Sequence, residues 1–187
     1  MVRKRTIWSY LEPFLHTQEE LHLADISRKL KKPHATTRKY LSYFEKQGIL
    51  IKKNKGRLNL YKLNSLCPTL TDYLVLAEKE ALIRACQKDL LLNELVSLSQ
   101  KNLNSNNKVL IFGSATENLK GARDIDLLVI GKTKIGPIVK QIGKKIGKEI
   151  HLITLKNLKD ATPALKEEIR KKHLILQGIE EIIKWLI

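Results

Sequence analysis

Residues 109–130 read VLIFGSATENLKGARDIDLLVI, and this stretch decides the fold of the second half of the chain. A short apolar run ends at Gly113-Ser114. Nine residues separate Ser114 from a second run, DIDLLVI, which carries Asp124 and Asp126. Apolar runs of this length bounded by turn residues predict buried strands. Side chains at i and i+2 of a strand point to one face, so Asp124 and Asp126 are expected to project together. Two carboxylates on one face repel unless a proton or cation sits between them. Hard divalent cations such as Mg2+ prefer oxygen ligands of this kind. Gly-Ser directly after a strand suits a tight turn into a helix N-terminus, where free N–H groups hold phosphate. A phosphate seat beside a carboxylate pair points to phosphoryl or nucleotidyl transfer. The plainer alternative is two strands joined by a polar loop, with both aspartates on a solvent face. Against it, DIDLLVI is otherwise buried in character.

Outward from this stretch, the pattern predicts a loop at 131–136 and a helix at 137–147, with Pro137 in its first turn. A strand is expected at 149–154, a helix at 163–172, a short strand at 173–176 and a final helix at 179–185. Strands interspersed with helices suit a small α/β sheet.

With Gly113, Ser114, Asp124 and Asp126 in this order and spacing, residues 106–187 resemble the minimal nucleotidyltransferase domain of the DNA polymerase beta superfamily. The resemblance implies that Asp124 and Asp126 ligate Mg2+ and that Gly113 and Ser114 hold the phosphates of a nucleoside triphosphate. It also implies attack on the α-phosphate by an acceptor hydroxyl. The chain departs from that family's pattern in three places. The third carboxylate usual on the next strand falls at His151, and Glu149 lies about 7 Å back along the same face. Arg123 stands before Asp124 where Ser is common, able either to neutralise the aspartates or to pair with triphosphate. The arginine often found soon after Gly-Ser is absent, with Lys120 as a substitute. Imidazole is a poor Mg2+ ligand, so either Glu149 substitutes, or the second metal is weak, or turnover is impaired. A half-buried strand histidine with no role is the bland reading of His151.

The N-terminal third has a different grammar. A helix is expected over 6–16, with Ile7, Tyr10, Leu11 and Phe14 on one side and Pro13 bending or ending it. A short helix over 24–30 buries Ile26 and Leu30. Pro33 disfavours helix at Lys32 and makes 31–34 a turn. A longer helix over 36–47 has the inner stripe Thr37, Tyr40, Leu41 and Phe44, with Gly48 where a left-handed cap is wanted. Residues 49–53 and 58–62 alternate as strands around Asn54-Lys55-Gly56. Over residues 3–63 this order resembles a winged helix-turn-helix. The resemblance implies a DNA partner, with His34, Thr36, Arg38, Lys39, Ser42 and Tyr43 facing a major groove. Arg38 is the best base reader, because guanidinium pairs in bidentate fashion with guanine. Lys52, Lys53, Lys55 and Arg57 on the wing hold phosphates. The alternative is a winged helix used for protein contact or dimerisation.

Between the two, 64–71 is a polar boundary. Residues 71–100 are helix-compatible, as one helix or two, with a drifting stripe of Leu74, Ala77, Ala81, Ala85, Leu91, Leu92, Leu95 and Leu98. That stripe serves either a homodimer or packing on the second domain.

The whole composition agrees with this division. The chain has 187 residues, 43% hydrophobic and 29% charged, with net charge +16. Residues 1–66 hold 15 of the 35 basic and 5 of the 19 acidic residues, so most of the excess lies there. A basic module of this kind favours a polyanionic partner, nucleic acid first. Cys67 and Cys86 have no metal or disulfide spacing. No apolar run is long enough for a membrane span, and the N-terminus does not read as a signal peptide, so a cytoplasmic place is expected. The expected fold class is α+β. It comprises a winged helix-turn-helix over 1–66, a connecting helical segment over 67–105, and a small α/β nucleotidyltransferase-fold domain over 106–187. Two functions stand open. One is a Mg2+-dependent nucleotidyltransferase carrying a DNA-binding module. The other is a DNA-binding regulator, or an antitoxin acting beside a small toxin-like partner, whose second domain binds nucleotide or protein without turnover.

Overall fold

The computed structural model describes residues 6–131 and 135–187. It is a mixed α+β chain of two compact units, one running to Glu80 and joined by Ile187, the other spanning Ala81–Leu186. Among the described residues no helix is long and apolar enough to cross a membrane.

The first unit opens with a single 3-10 turn, Ile7–Tyr10, and then helix α1, Glu12–Leu15. The single helix expected over 6–16 is therefore divided. Proline has no N–H and crowds the carbonyl four residues back, so Pro13 starts a helix more readily than it continues one. A two-residue strand, β1 (Leu21–His22), leads into α2 (Leu23–Leu30), where the His22 ring accepts from the Ala24 amide at 3.3 Å. Lys31 takes the left-handed conformation that ends α2, and Pro33 opens α3 (His34–Lys46). Strands β2 (Leu50–Lys55) and β3 (Leu58–Leu63) form a hairpin, and β1 pairs with the far edge of β3. Asn54 and Lys55 belong to β2 rather than to the turn, which is Gly56-Arg57 alone, with Gly56 at φ +59°. Leu11, Phe14, Ile26, Leu41, Phe44 and Tyr61 are buried beneath these elements. The helix, turn, helix and hairpin expected from the sequence are thus present in that order.

The helical segment beyond is two helices, α4 (Leu70–Lys88) and α5 (Leu90–Asn102). Asp89 separates them. Its backbone is extended, and its carboxylate accepts from the Leu91 and Leu92 amides at 3.0 and 3.3 Å, capping α5.

The second unit carries a four-stranded sheet. Its strands are β4 (Lys108–Phe112), β5 (Asp124–Ile130), β6 (Glu149–Leu155) and β7 (His173–Gln177), in the spatial order β6-β5-β4-β7. β4 pairs antiparallel with β5 and β7, while β5 and β6 run parallel. Three helices alternate with these strands: α6 (Gly136–Ile146), α7 (Pro163–Lys171) and α8 (Ile179–Leu186). Ile125, Leu127 and Val129 on one face of β5 join Val109, Ile111, Leu95 and Ile142 in a single core. Leu128 and Ile130 on the other face are also buried. A central strand covered on both sides needs a nearly unbroken apolar run, which is why DIDLLVI has one. Only its first residues, Asp124 and Asp126, reach the partly open end of that second face.

Candidate functional site

The turn after β4 sets the geometry. Gly113 stands at φ +71°, and a Cβ there would lie 3.1 Å from Oδ2 of Asp126. Glycine thus serves twice, supplying a left-handed backbone and allowing a carboxylate to approach the chain closely. The tight turn expected at Gly113-Ser114 leads into a single 3-10 turn, Gly113–Thr116. The Thr116 hydroxyl donates to the Gly113 carbonyl at 2.7 Å and closes that turn. The Gly113 amide donates to the Lys172 carbonyl at 3.3 Å, so it is engaged by the chain itself. Ser114 is exposed and lines an open hollow of ≈ 410 Å³ with Glu117, Asn118, Gly121, Ala122, Arg123 and Asp124.

Asp124 and Asp126 project on one face of β5, as the strand period requires, with side chains 40% and 34% exposed. The parallel pairing sets Asp124 against Glu149 and Asp126 against His151. His151 Nδ1 lies 3.6 Å from Oδ2 of Asp124 and 3.6 Å from Oδ1 of Asp126. Glu149 Oε1 lies 3.9 Å from Nε2 of the same ring, and its side chain is 78% exposed. The corner beside both aspartates therefore holds an imidazole, and Glu149 stands against the ring's other nitrogen. Arg123 lines the hollow next to Asp124.

Among the described residues, no three His, Cys, Asp or Glu side chains are arranged to hold a metal ion by themselves. Mg2+ commonly takes one or two carboxylates and completes its octahedron with water and substrate phosphates. Asp124 and Asp126 fit an ion held in that way. They do not form a cage built from protein alone.

Two residues outside the motif shape the hollow. Lys148 directs its ammonium to the carbonyls of Lys120 and Ala122, fastening the loop that precedes Arg123. Asp89, besides capping α5, accepts from the Lys120 amide at 3.3 Å. Asp before Leu-Leu-Leu is a readable capping signal. Nothing near Lys148 in the chain marks its contact, which spans 28 residues. Behind the Gly113 turn lies His173, 4% exposed and paired across the sheet with Phe112. Its Nδ1 is 2.8 Å from the Ile169 carbonyl, and burial pushes the imidazole down to about 4.

In the first unit, Arg38 and Lys39 on α3 are exposed, as are Lys55 and Arg57 at the hairpin tip. The remaining expected contacts differ. Thr36 and Lys52 are half-buried. Ser42 is half-buried too. Lys53 is ion-paired with Glu20 at 2.7 Å. The Lys53 ammonium holds the Glu20 carboxyl below its usual range.

No family model matches this chain. No curated protein matches it either. Among solved structures the chain is similar to TrmBL2, described as an archaeal chromatin protein whose structure shows a novel mode of DNA binding. The match has 14% identity over 86% of this chain and 68% of that one, with a TM-score of 0.30. A TM-score at that level does not establish a common fold.

Proposed function

We propose that this protein is a DNA-binding regulator of winged helix-turn-helix type whose second unit, of nucleotidyltransferase type, holds a nucleoside triphosphate with Mg2+. The observation that carries this reading is the approach of the Gly113 turn to Asp126, beside a hollow reaching from Ser114 to Asp124. The Ser114 hydroxyl offers a hydrogen bond to a phosphate oxygen, and Arg123 offers a charge-assisted one. Asp124 and Asp126 present the oxygens that hold Mg2+, which when bound neutralises triphosphate charge. Arg38 and Lys39 face outward for a DNA groove, while Lys55 and Arg57 reach phosphates from the hairpin tip.

A second reading is nucleotidyl transfer itself, favoured by Ser114 and Asp124 lining one open hollow beside the close approach of Gly113 to Asp126. His151 in the corner beside the aspartates favours holding over turnover. One experiment separates the two. The chain is incubated with each labelled nucleoside triphosphate and Mg2+, with Asp126→Ala as control, and both retained and transferred label are measured. Retention that needs Mg2+ and Asp126, without transfer, is the expected result. Covalent transfer to an acceptor establishes the second reading, and absence of both removes nucleotide from the function. No measurable affinity for duplex DNA at low salt removes the regulator.

A further inference from the structure

A single nitrogen of His151 stands 3.6 Å from a carboxylate oxygen of each aspartate, Oδ2 of Asp124 and Oδ1 of Asp126. The geometry points to His151 as the residue that restricts this carboxylate pair to one divalent cation. The inference rests on the nucleotide-binding reading above and specifies its stoichiometry.

Two-metal sites hold their ions roughly 3.5–4 Å apart, and both ions must complete their coordination from the side chains clustered there together with substrate and water. Mg2+ is strict about octahedral oxygen coordination. Asp124 and Asp126 together offer four carboxylate oxygens. The side chain that extends the cluster from β6 contributes nitrogen instead, a donor better suited to zinc, copper or iron than to Mg2+. Glu149 does not make up the loss. Its carboxylate stands against Nε2, while Nδ1 is the nitrogen near the aspartates. The position also tolerates change. β6 is the edge strand of the sheet, and the His151 side chain is 53% exposed, so replacing it removes nothing from the core. A site limited to one cation can neutralise a bound triphosphate, yet it lacks the second ion that in paired sites clamps the attacking oxygen. This restriction gives the holding function a structural cause.

The test counts cations without needing turnover. Full-length protein is dialysed to equilibrium with Mn2+ and a nucleoside triphosphate carrying a methylene group between its α- and β-phosphates, and bound Mn2+ is quantified by electron paramagnetic resonance. The wild-type chain is expected to retain one Mn2+. His151→Asp and His151→Glu, which return a carboxylate to the corner, are expected to retain two, a doubling. Circular dichroism confirms that each variant is folded, and two variants guard against the loss of either. Two Mn2+ on the wild-type chain overturn the inference, as does one on a folded carboxylate variant. No Mn2+ on any of the three chains overturns the cation-binding reading beneath it.

Discussion

Gly113 and Asp126 touch across the β4–β5 pairing: a methyl group at position 113 would stand 3.1 Å from Oδ2 of Asp126, on a backbone at φ +71°. Gly113→Ala therefore meets two costs at once. The left-handed conformation costs an L-residue about 1–2 kcal/mol, and the new methyl presses on a carboxylate of the proposed cation site. Thermal melts should show a loss of that size, and nucleotide affinity should fall by at least about tenfold. A variant with unchanged nucleotide affinity would separate this turn from the site.

Asp126→Ala should leave the fold intact, because the side chain is 34% exposed and lies near the start of its strand. Nucleotide affinity in Mg2+ should fall by at least about tenfold, or ~1.4 kcal/mol. With chelator present, wild type and variant should bind equally weakly. Isothermal titration with and without Mg2+ measures both.

On the proposed DNA-binding surface, the exposed residues should divide by role. Arg38→Ala should relax preference at one base position by about 1–3 kcal/mol. Lys55→Ala should weaken all sequences alike and lower the salt slope by about 1. Lys53→Ala should do less than Lys55→Ala, because Glu20 already neutralises Lys53 at 2.7 Å. Glu20→Gln should strengthen binding by freeing that lysine. Salt-dependent fluorescence anisotropy on duplexes of varied sequence checks all four.

Stability should fall on acidification through His173. Burial lowers its folded value from 6.5 to about 4. Between those values the unfolded chain takes up a proton that the folded chain refuses, so unfolding is favoured as pH drops. The contribution is complete above about pH 6.5 and is lost progressively toward pH 4, amounting to ~3 kcal/mol at most. Denaturant melts of wild type and His173→Leu should show wild type losing stability relative to the variant as pH falls through this range, because the leucine variant lacks this proton linkage.

Lys148→Ala should release the loop that borders the hollow, since its ammonium holds the carbonyls of Lys120 and Ala122. Amide exchange over 118–123 should accelerate at least about fivefold, corresponding to ~1 kcal/mol of local stability. Lys148→Arg should restore much of the protection.

The sequence alone placed the elements well wherever local chemistry dominates. Pro33 and Gly48 bracket α3, Pro137 sits in the first turn of α6 and Gly147 ends it, and the two apolar runs became β4 and β5. Prolines and glycines act through their own backbone torsions, so their effect is readable in place. The strand period likewise fixed that Asp124 and Asp126 share a face. Tertiary contacts decided what those residues meet. The parallel register of β5 and β6 carried His151 to the aspartates and left Glu149 at its far nitrogen. An ion pair across 33 residues engaged Lys53. Lys148 reached its loop across 28 residues. A strand period names the face of a side chain from its own sequence. Its neighbours on that face come from another strand, whose register is set by the burial of the whole sheet.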